Sequence, residues 1–234
     1  VALLQSLELN MSGLTLLIGN CNYSSWSLRP WLFLQHHGIS FQSQRISLFT
    51  ETMEAEMAPY FSDGKVPVLL DQGLQVWDSL AILEYLAERF PERQGWPRDA
   101  RARAHARSVC AEMHSSFTGL RSQMPMNCRR RFPGFRVGDA AQRDLQRLFA
   151  VWEFCRKTYG QEGPWLFGAF SIADCMYAPV ALRLISYEIE LAPIARTYVD
   201  TLYQSPAIQR WVALGKAESE VIAEDEADWP SQPI

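Results

Sequence analysis

The sequence predicts two dissimilar halves, an α/β N-terminal domain built on a small sheet and an all-α C-terminal domain. Three observations carry this. Residues 14–90 alternate short apolar runs with helical periodicity and include a hairpin pattern; residues 91–97 hold two prolines and a glycine among charges; and from residue 100 onward only helical periodicity recurs.

Leu14 to Ile18 is an apolar run closed by Gly19 and Asn20, which reads as a buried strand and a turn. From Ser25 to His37 the residues Trp26, Leu28, Trp31, Leu32 and Leu34 recur at helical spacing, with Pro30 tolerable only near the helix start and Gly38 as the stop. Ile39 to Leu48 alternates as a second strand, and Glu51 to Met57 reads as a short helix. Val66 to Leu70 and Gln75 to Trp77 flank a turn at Asp71 to Gly73, a hairpin, and Asp78 to Phe90 follows as an amphipathic helix. Strand, helix, strand, helix, hairpin, helix is the order of a thioredoxin-like sandwich, one sheet covered on both faces. Beyond the linker, helices are expected from Ala100 to about Met124, Asp139 to Tyr159, Ile172 to Glu188, and in shorter runs from Leu191 to Lys216. The domains are therefore drawn at 13–92 and 98–220. Residues 1–12 have no pattern of their own and read as an extension or a cloning remnant.

Composition narrows the function classes. With 48% hydrophobic and 21% charged residues, the chain is neither disordered nor fibrous. A formal charge of -4 supplies no general attraction to nucleic acid or to an anionic membrane. Arg129, Arg130, Arg131 and Arg136 form a local basic cluster without interleaved aromatics, which reads as a solvated loop edge. The five cysteines are odd in number and scattered, against a disulfide framework or a zinc knuckle. No apolar run approaches the ~20 residues of a membrane span, and the start does not read as a signal peptide. A cytoplasmic protein is expected. A phosphate loop, a dinucleotide glycine fingerprint, a nucleophile elbow and a zinc helix are all missing from the sequence, so neither metal nor nucleotide is expected.

Three short stretches can carry chemistry. In the turn from Asn22 to Arg29, a serine hydroxyl at the start of a helix lies where the dipole and free amides favour an anion, and it can donate to a thiolate. The same Ser24 or Ser25 also suits a plain N-cap. At Lys65, Val66 and Pro67 a proline opens a strand, and a cis bond there would turn the preceding backbone toward a peptide-like ligand. Asp78 and Ser79 precede a helix, where one of them caps it and where together they can receive an ammonium and a carboxylate.

Ser24 with Arg29 five residues on, then Lys65-Val66-Pro67, then Asp78-Ser79-Leu80-Ala81-Ile82, at these intervals resembles the cytosolic glutathione S-transferases of the serine-type tau, zeta and theta-like classes. Phe170-Ser171-Ile172-Ala173-Asp174 resembles the capping box and staple of that family's helical domain, a folding element. The resemblance spans about residues 13–218, and the stretch from Glu112 to Asn127 is similar to a bacterial branch. It implies glutathione as co-substrate, with Ser24 activating its thiol, Val66 and cis-Pro67 holding the cysteinyl backbone, Asp78 and Ser79 the γ-glutamyl end, and Lys65 the glycyl carboxylate. Ser25 stands where the family has a proline after its serine, which leaves Ser25 as the alternative hydroxyl. Tyr23, Trp26, Met113, His114, Phe117 and Arg121 are the candidates for the second-substrate pocket, the last four from the helical half, where His114, Phe117 and Arg121 are spaced to share one face of a long helix. The implied activity is a detoxifying transfer of glutathione to a small apolar electrophile by a homodimer. Isomerisation of the maleylacetoacetate type and hydroperoxide reduction are enzymatic alternatives; Trp26 replaces a cysteine of the zeta pattern and weighs against the former. A non-catalytic binding or interaction protein of the same fold is the alternative of another class.

Overall fold

Leu14, Leu16, Leu17 and Ile18 are all buried, and burial on both faces makes β1 (Leu14–Ile18) an inner strand. The structure, a computed structural model, describes residues 13–234; the expectation for 1–12 lies outside them. β2 (Gln42–Arg45) runs parallel to β1, β3 (Val68–Asp71) antiparallel to it, and β4 (Leu74–Trp77) antiparallel to β3, in the order β2-β1-β3-β4. Register places Leu16 opposite Leu69 and Leu17 opposite Val68. The period of two then sends these pairs to opposite faces. Leu16 and Leu69 join the large core with α1 (Ser25–His36) and α3 (Ser79–Arg89), while Leu17 and Val68 meet Met57 of α2 (Met53–Met57). The sheet is thus covered on both sides, as a thioredoxin-like order requires.

The second strand is shorter than the span 39–48 read from its alternation. The Ile39 amide closes α1 instead, donating to the Leu34 carbonyl at 2.9 Å across Gly38, whose φ of +62° supplies the left-handed residue such a closure needs. What is left at the edge is polar Gln-Ser-Gln-Arg, which blunts unwanted pairing.

The helical domain comprises α4 (Ala100–Ser115), α5 (Thr118–Gln123), α6 (Asp139–Tyr159), α7 (Ile172–Ser186), α8 (Pro193–Gln204) and α9 (Pro206–Ala217). The single helix expected from Ala100 to Met124 is two. Ser116 is extended and Phe117 adopts φ +59°, held there because its ring is buried and because the Leu120 amide donates to Asp144 of α6 at 2.9 Å. His114, Phe117 and Arg121 therefore do not share a helical face. α7 is buried around its whole circumference and packs against α1, α4 and α8, so it joins the two domains, as α9 does by packing on α1. Among the described residues, no helix is long and apolar enough to cross a membrane.

Beyond α9 the chain runs back across the molecule. β6 (Gln232–Pro233) pairs with β5 (Arg130–Arg131), and the Trp229 indole donates to the Pro133 carbonyl at 3.1 Å. Of the basic cluster, Arg130, Arg131 and Arg136 are exposed, but Arg129 is not a solvated edge: it is half-buried and donates to the Glu220 carbonyl at 2.7 Å.

The start of α7 carries the capping box of Ser171 and Asp174. The fully buried Asp174 carboxylate accepts from the Ser171 amide at 2.8 Å, the Leu166 amide at 3.0 Å, the Tyr198 hydroxyl at 2.9 Å and the Ser171 hydroxyl at 3.2 Å. Burial pushes its carboxyl up to about 6 while these donors pull the other way. Asp174→Ala strands several buried donors at once, at ~1 to 3 kcal/mol each, and lowers stability by ~3 kcal/mol or more; urea denaturation of the variant against wild type measures the loss.

Candidate active site

One cleft of about 800 Å³ opens between the sheet domain and the helical domain. Three stretches of the N-terminal domain and one helical residue build it: Trp26 at the start of α1, the loop from Tyr60 to Pro67, the corner Trp77-Asp78-Ser79 after β4, and His114 of α4. The Val66–Pro67 peptide bond is cis. Lys65 projects from the loop, its ammonium 2.7 Å from Asp63, with both side chains largely exposed. Phe61 is 80% exposed and meets Trp77 edge to face at 5.4 Å, an aromatic rim on the sheet side.

The corner at Asp78 is strained and held by several partners. Its φ of +73° is uncommon for a residue with a side chain. The conformation is held because Oδ1 caps α3, accepting from the Leu80 amide at 2.9 Å and the Ala81 amide at 3.1 Å. Oδ2 lies 3.1 Å from Nε2 of His114, so the carboxylate ties the first domain to the second at the cleft. Ser79, beside it, is buried and accepts from Nη1 of Arg29 at 3.2 Å.

Ser24 is the N-cap of α1. Its hydroxyl accepts weakly from the Ser27 amide at 3.4 Å and donates to the Ser27 hydroxyl at 2.8 Å, and Ser27 in turn accepts from the Gly19 amide at 3.1 Å. The Ser25 hydroxyl accepts from Nη2 of Arg183 at 3.3 Å. Both serines are 7% exposed, and neither is among the residues that line the cleft. Trp26 forms the wall there instead. The Arg29 guanidinium lies 4.1 Å from the centre of its ring and that of Arg121 5.2 Å, while His114 meets it edge-on.

The structure thus brings Lys65, Val66, Pro67, Asp78, Ser79, Trp26 and His114 to one cleft, with Arg121 behind Trp26. It does not bring Tyr23, Met113 or Phe117 to the wall: all three are buried, and the Tyr23 hydroxyl is occupied by Glu226 and Arg129. Tyr60, Phe61 and Trp77 escaped the sequence reading. Alternation along Gln75-Val76-Trp77 was the available signal for Trp77; nothing local marks the loop aromatics.

The buried Arg29 guanidinium is pulled down to about 9 by burial, with the neighbouring positive charges of Arg183 and Arg121 adding to it. Arg183 is lowered to about 10, again chiefly by burial. Among the described residues no group of three or more metal-ligating side chains occurs. All five cysteines are free and buried, and burial raises every one of their thiols, Cys128 and Cys155 to about 12 and Cys110 and Cys175 well above the ordinary value. Any nucleophilic sulfur at this site comes from a ligand.

Family models match both halves of the chain: that for the glutathione S-transferase N-terminal domain over residues 23–89 and that for the C-terminal domain over residues 138–214. The chain belongs to the glutathione transferase family. Among curated relatives, a Caenorhabditis elegans protein described as a probable maleylacetoacetate isomerase is 26% identical over 171 residues, 72% of this chain and 78% of the relative. Glutathione S-transferase 1 of Dianthus caryophyllus is 37% identical over 81 residues, 34% of this chain and 36% of its own. The crystal structure of a glutathione transferase homolog from Burkholderia gl BGR1, with bound glutathione, is similar at a TM-score of 0.66 and 25% identity, over 88% of this chain and 99% of that one.

Two outcomes are expected of the site itself. The native protein at pH 8 gives almost no reaction with an aromatic disulfide reagent and five thiols per chain after denaturation; rapid native labelling contradicts the burial. Asp78→Ala removes the cap while keeping the positive φ and costs ~2 kcal/mol, whereas Asp78→Gly relieves the backbone and costs less, an order that chemical denaturation reads directly.

Proposed function

We propose that the cleft binds glutathione and activates its thiol for attack on a small electrophile. One observation supports this above the others: the cis Val66–Pro67 segment and the Asp78-Ser79 helix start face one cleft, a strand-like backbone edge beside an anion-favouring terminus. In this reading the cysteinyl backbone pairs with Val66, the γ-glutamyl ammonium meets Asp78, its carboxylate meets Ser79 and the start of α3, and Lys65 takes the glycyl carboxylate. The Ser24 hydroxyl, which now donates to Ser27, is redirected to the sulfur. That single donor favours the thiolate over the thiol and lowers its pKa. Ser24 is preferred to Ser25 because it stands five residues before Arg29, the interval that carries the resemblance. The protein is then a serine-type transferase, cytoplasmic and dimeric, with glutathione as co-substrate.

Similarity to the nematode protein described as a probable maleylacetoacetate isomerase favours a second reading. The same thiolate would add to a cis double bond and leave after rotation, so both reactions use one site.

Calorimetric titration of glutathione into wild type and Ser24→Ala, with thiolate absorbance followed against pH, tests the proposal. Wild type binds saturably, and Ser24→Ala keeps most of the affinity but raises the bound thiol's pKa by about one unit or more, the scale of one lost hydrogen bond. No saturable binding by wild type rejects the transferase reading and leaves a binding module of the same fold. An unchanged thiol pKa in Ser24→Ala with a raised one in Ser25→Ala moves the role to Ser25.

A further inference from the structure

Among the described residues that line the cleft, His114 alone belongs to the helical domain. It stands in the last turn of α4, its side chain is 30% exposed, and its ring meets Trp26 edge-on at 5.3 Å. Nε2 lies 3.1 Å from Oδ2 of Asp78, so that nitrogen carries the hydrogen and donates to the carboxylate. Nδ1 is buried and has no partner among the described residues. The imidazole therefore has one polar contact, and it is with the carboxylate assigned above to the γ-glutamyl ammonium.

Asp78 does not depend on His114 for its orientation. Oδ1 accepts from the Leu80 and Ala81 amides at 2.9 and 3.1 Å, which fixes the carboxylate on the start of its own helix. Oδ2 is the oxygen left for other donors, and His114 takes it. A ligand ammonium that meets the same oxygen has two courses. Displacing the imidazole subtracts one hydrogen bond from the gain, and sharing the oxygen means binding to a carboxylate whose charge a donor already neutralises in part. Either way the imidazole opposes the ammonium.

We propose that His114 is a positioning residue acting through Asp78: it competes with the γ-glutamyl ammonium for Oδ2 and so sets how strongly the site selects a free amino group. This rests on the reading that glutathione occupies the cleft with its ammonium at Asp78. The ammonium releases the imidazole from its one polar partner and leaves it only its contact with Trp26. Occupancy of the sheet domain is in this way passed to α4.

Calorimetry with glutathione and its deamino analogue, glutaryl-cysteinylglycine, tests this on wild type, His114→Ala, His114→Gln and Asp78→Asn, with circular dichroism to check folding. The analogue lacks only the ammonium; Gln keeps an N–H at the reach of Nε2, and Asn keeps the α3 cap while removing the charge. Wild type prefers glutathione, and His114→Ala raises that preference roughly three- to tenfold, the scale of one hydrogen bond. His114→Gln stays close to wild type. Asp78→Asn brings the preference close to one, with or without His114→Ala. If His114→Ala leaves the preference unchanged or lowers it, the competition is overturned. An equal change for both ligands also overturns it and makes His114 a packing partner of Trp26. Wild type binding glutathione no better than the analogue puts the ammonium away from Asp78 and overturns this inference while the transferase reading stands. No saturable binding of glutathione overturns the transferase reading itself, and this inference with it.

Discussion

The β1–α1 turn presents more backbone polar groups than its own sequence can satisfy, and much of the tertiary structure follows from where the partners come from. The Asn20 carbonyl serves the amides of Tyr23 and Ser24 locally. The amides of Cys21 and Asn22 have no such neighbour and donate to the two oxygens of one carboxylate, Glu218, at 2.7 and 3.0 Å. Asn22 accepts from the Cys128 amide at 2.8 Å, and Asn20 accepts from the Leu48 amide at 2.9 Å. A buried amide left unpaired costs ~1 to 3 kcal/mol, so this one turn pins the sheet domain, the loop after α5 and the segment after α9 together. Gly215 completes the arrangement. A Cβ there would lie 3.1 Å from the Asn22 nitrogen and 3.1 Å from Cys128, so α9 approaches the turn as closely as it does because it presents no side chain.

This fixing explains why Ser24 can be both a cap and a candidate donor. A cap hydroxyl is oriented by the helix it closes, and the turn before it is immobilised by residues nearly two hundred positions away in the chain. The position of the oxygen is set before any ligand arrives, so only the hydroxyl hydrogen, now directed at Ser27, has to turn for a hydrogen bond to a bound sulfur.

Elements governed by local pattern were legible in the sequence; those governed by distant partners were not. β1, the hairpin, the helix after Asp78 and the capping box at Ser171 and Asp174 are all encoded by period, turn residues or caps, and each lies within a residue or two of its expected place. The break at Phe117 was invisible because nothing between Ser115 and Thr118 opposes a helix; a buried ring and Asp144 impose it. Tyr23 was expected to face a substrate because it adjoins the serines, yet Glu226 and Arg129 turn it into the body of the protein. The cleft segments around Lys65 and Asp78 were readable as motifs. Their aromatic rim was not, since Phe61 stands in a loop with no periodicity.

The two buried arginines, Arg29 and Arg183, are accommodated in different ways. A guanidinium moved out of water without a counter-charge is costly, and the cost is tolerable when carbonyls take its donors, as three acceptors do for Arg183. That arginine joins α7 to the start of α1 and to the end of α5, so its charge is incidental to its bracing role. Arg29 is equally buried but has one hydroxyl and one ring face, an arrangement that a sequence selected for stability alone would replace by an apolar side chain of similar volume. Its distance of five residues from Ser24 puts it one helical turn inside α1, against the ring of Trp26 and the hydroxyl of Ser79, both of which line the cleft. Arg29 is thus held by fewer partners than Arg183, and its unpartnered Nε leaves part of its desolvation uncompensated among the described residues.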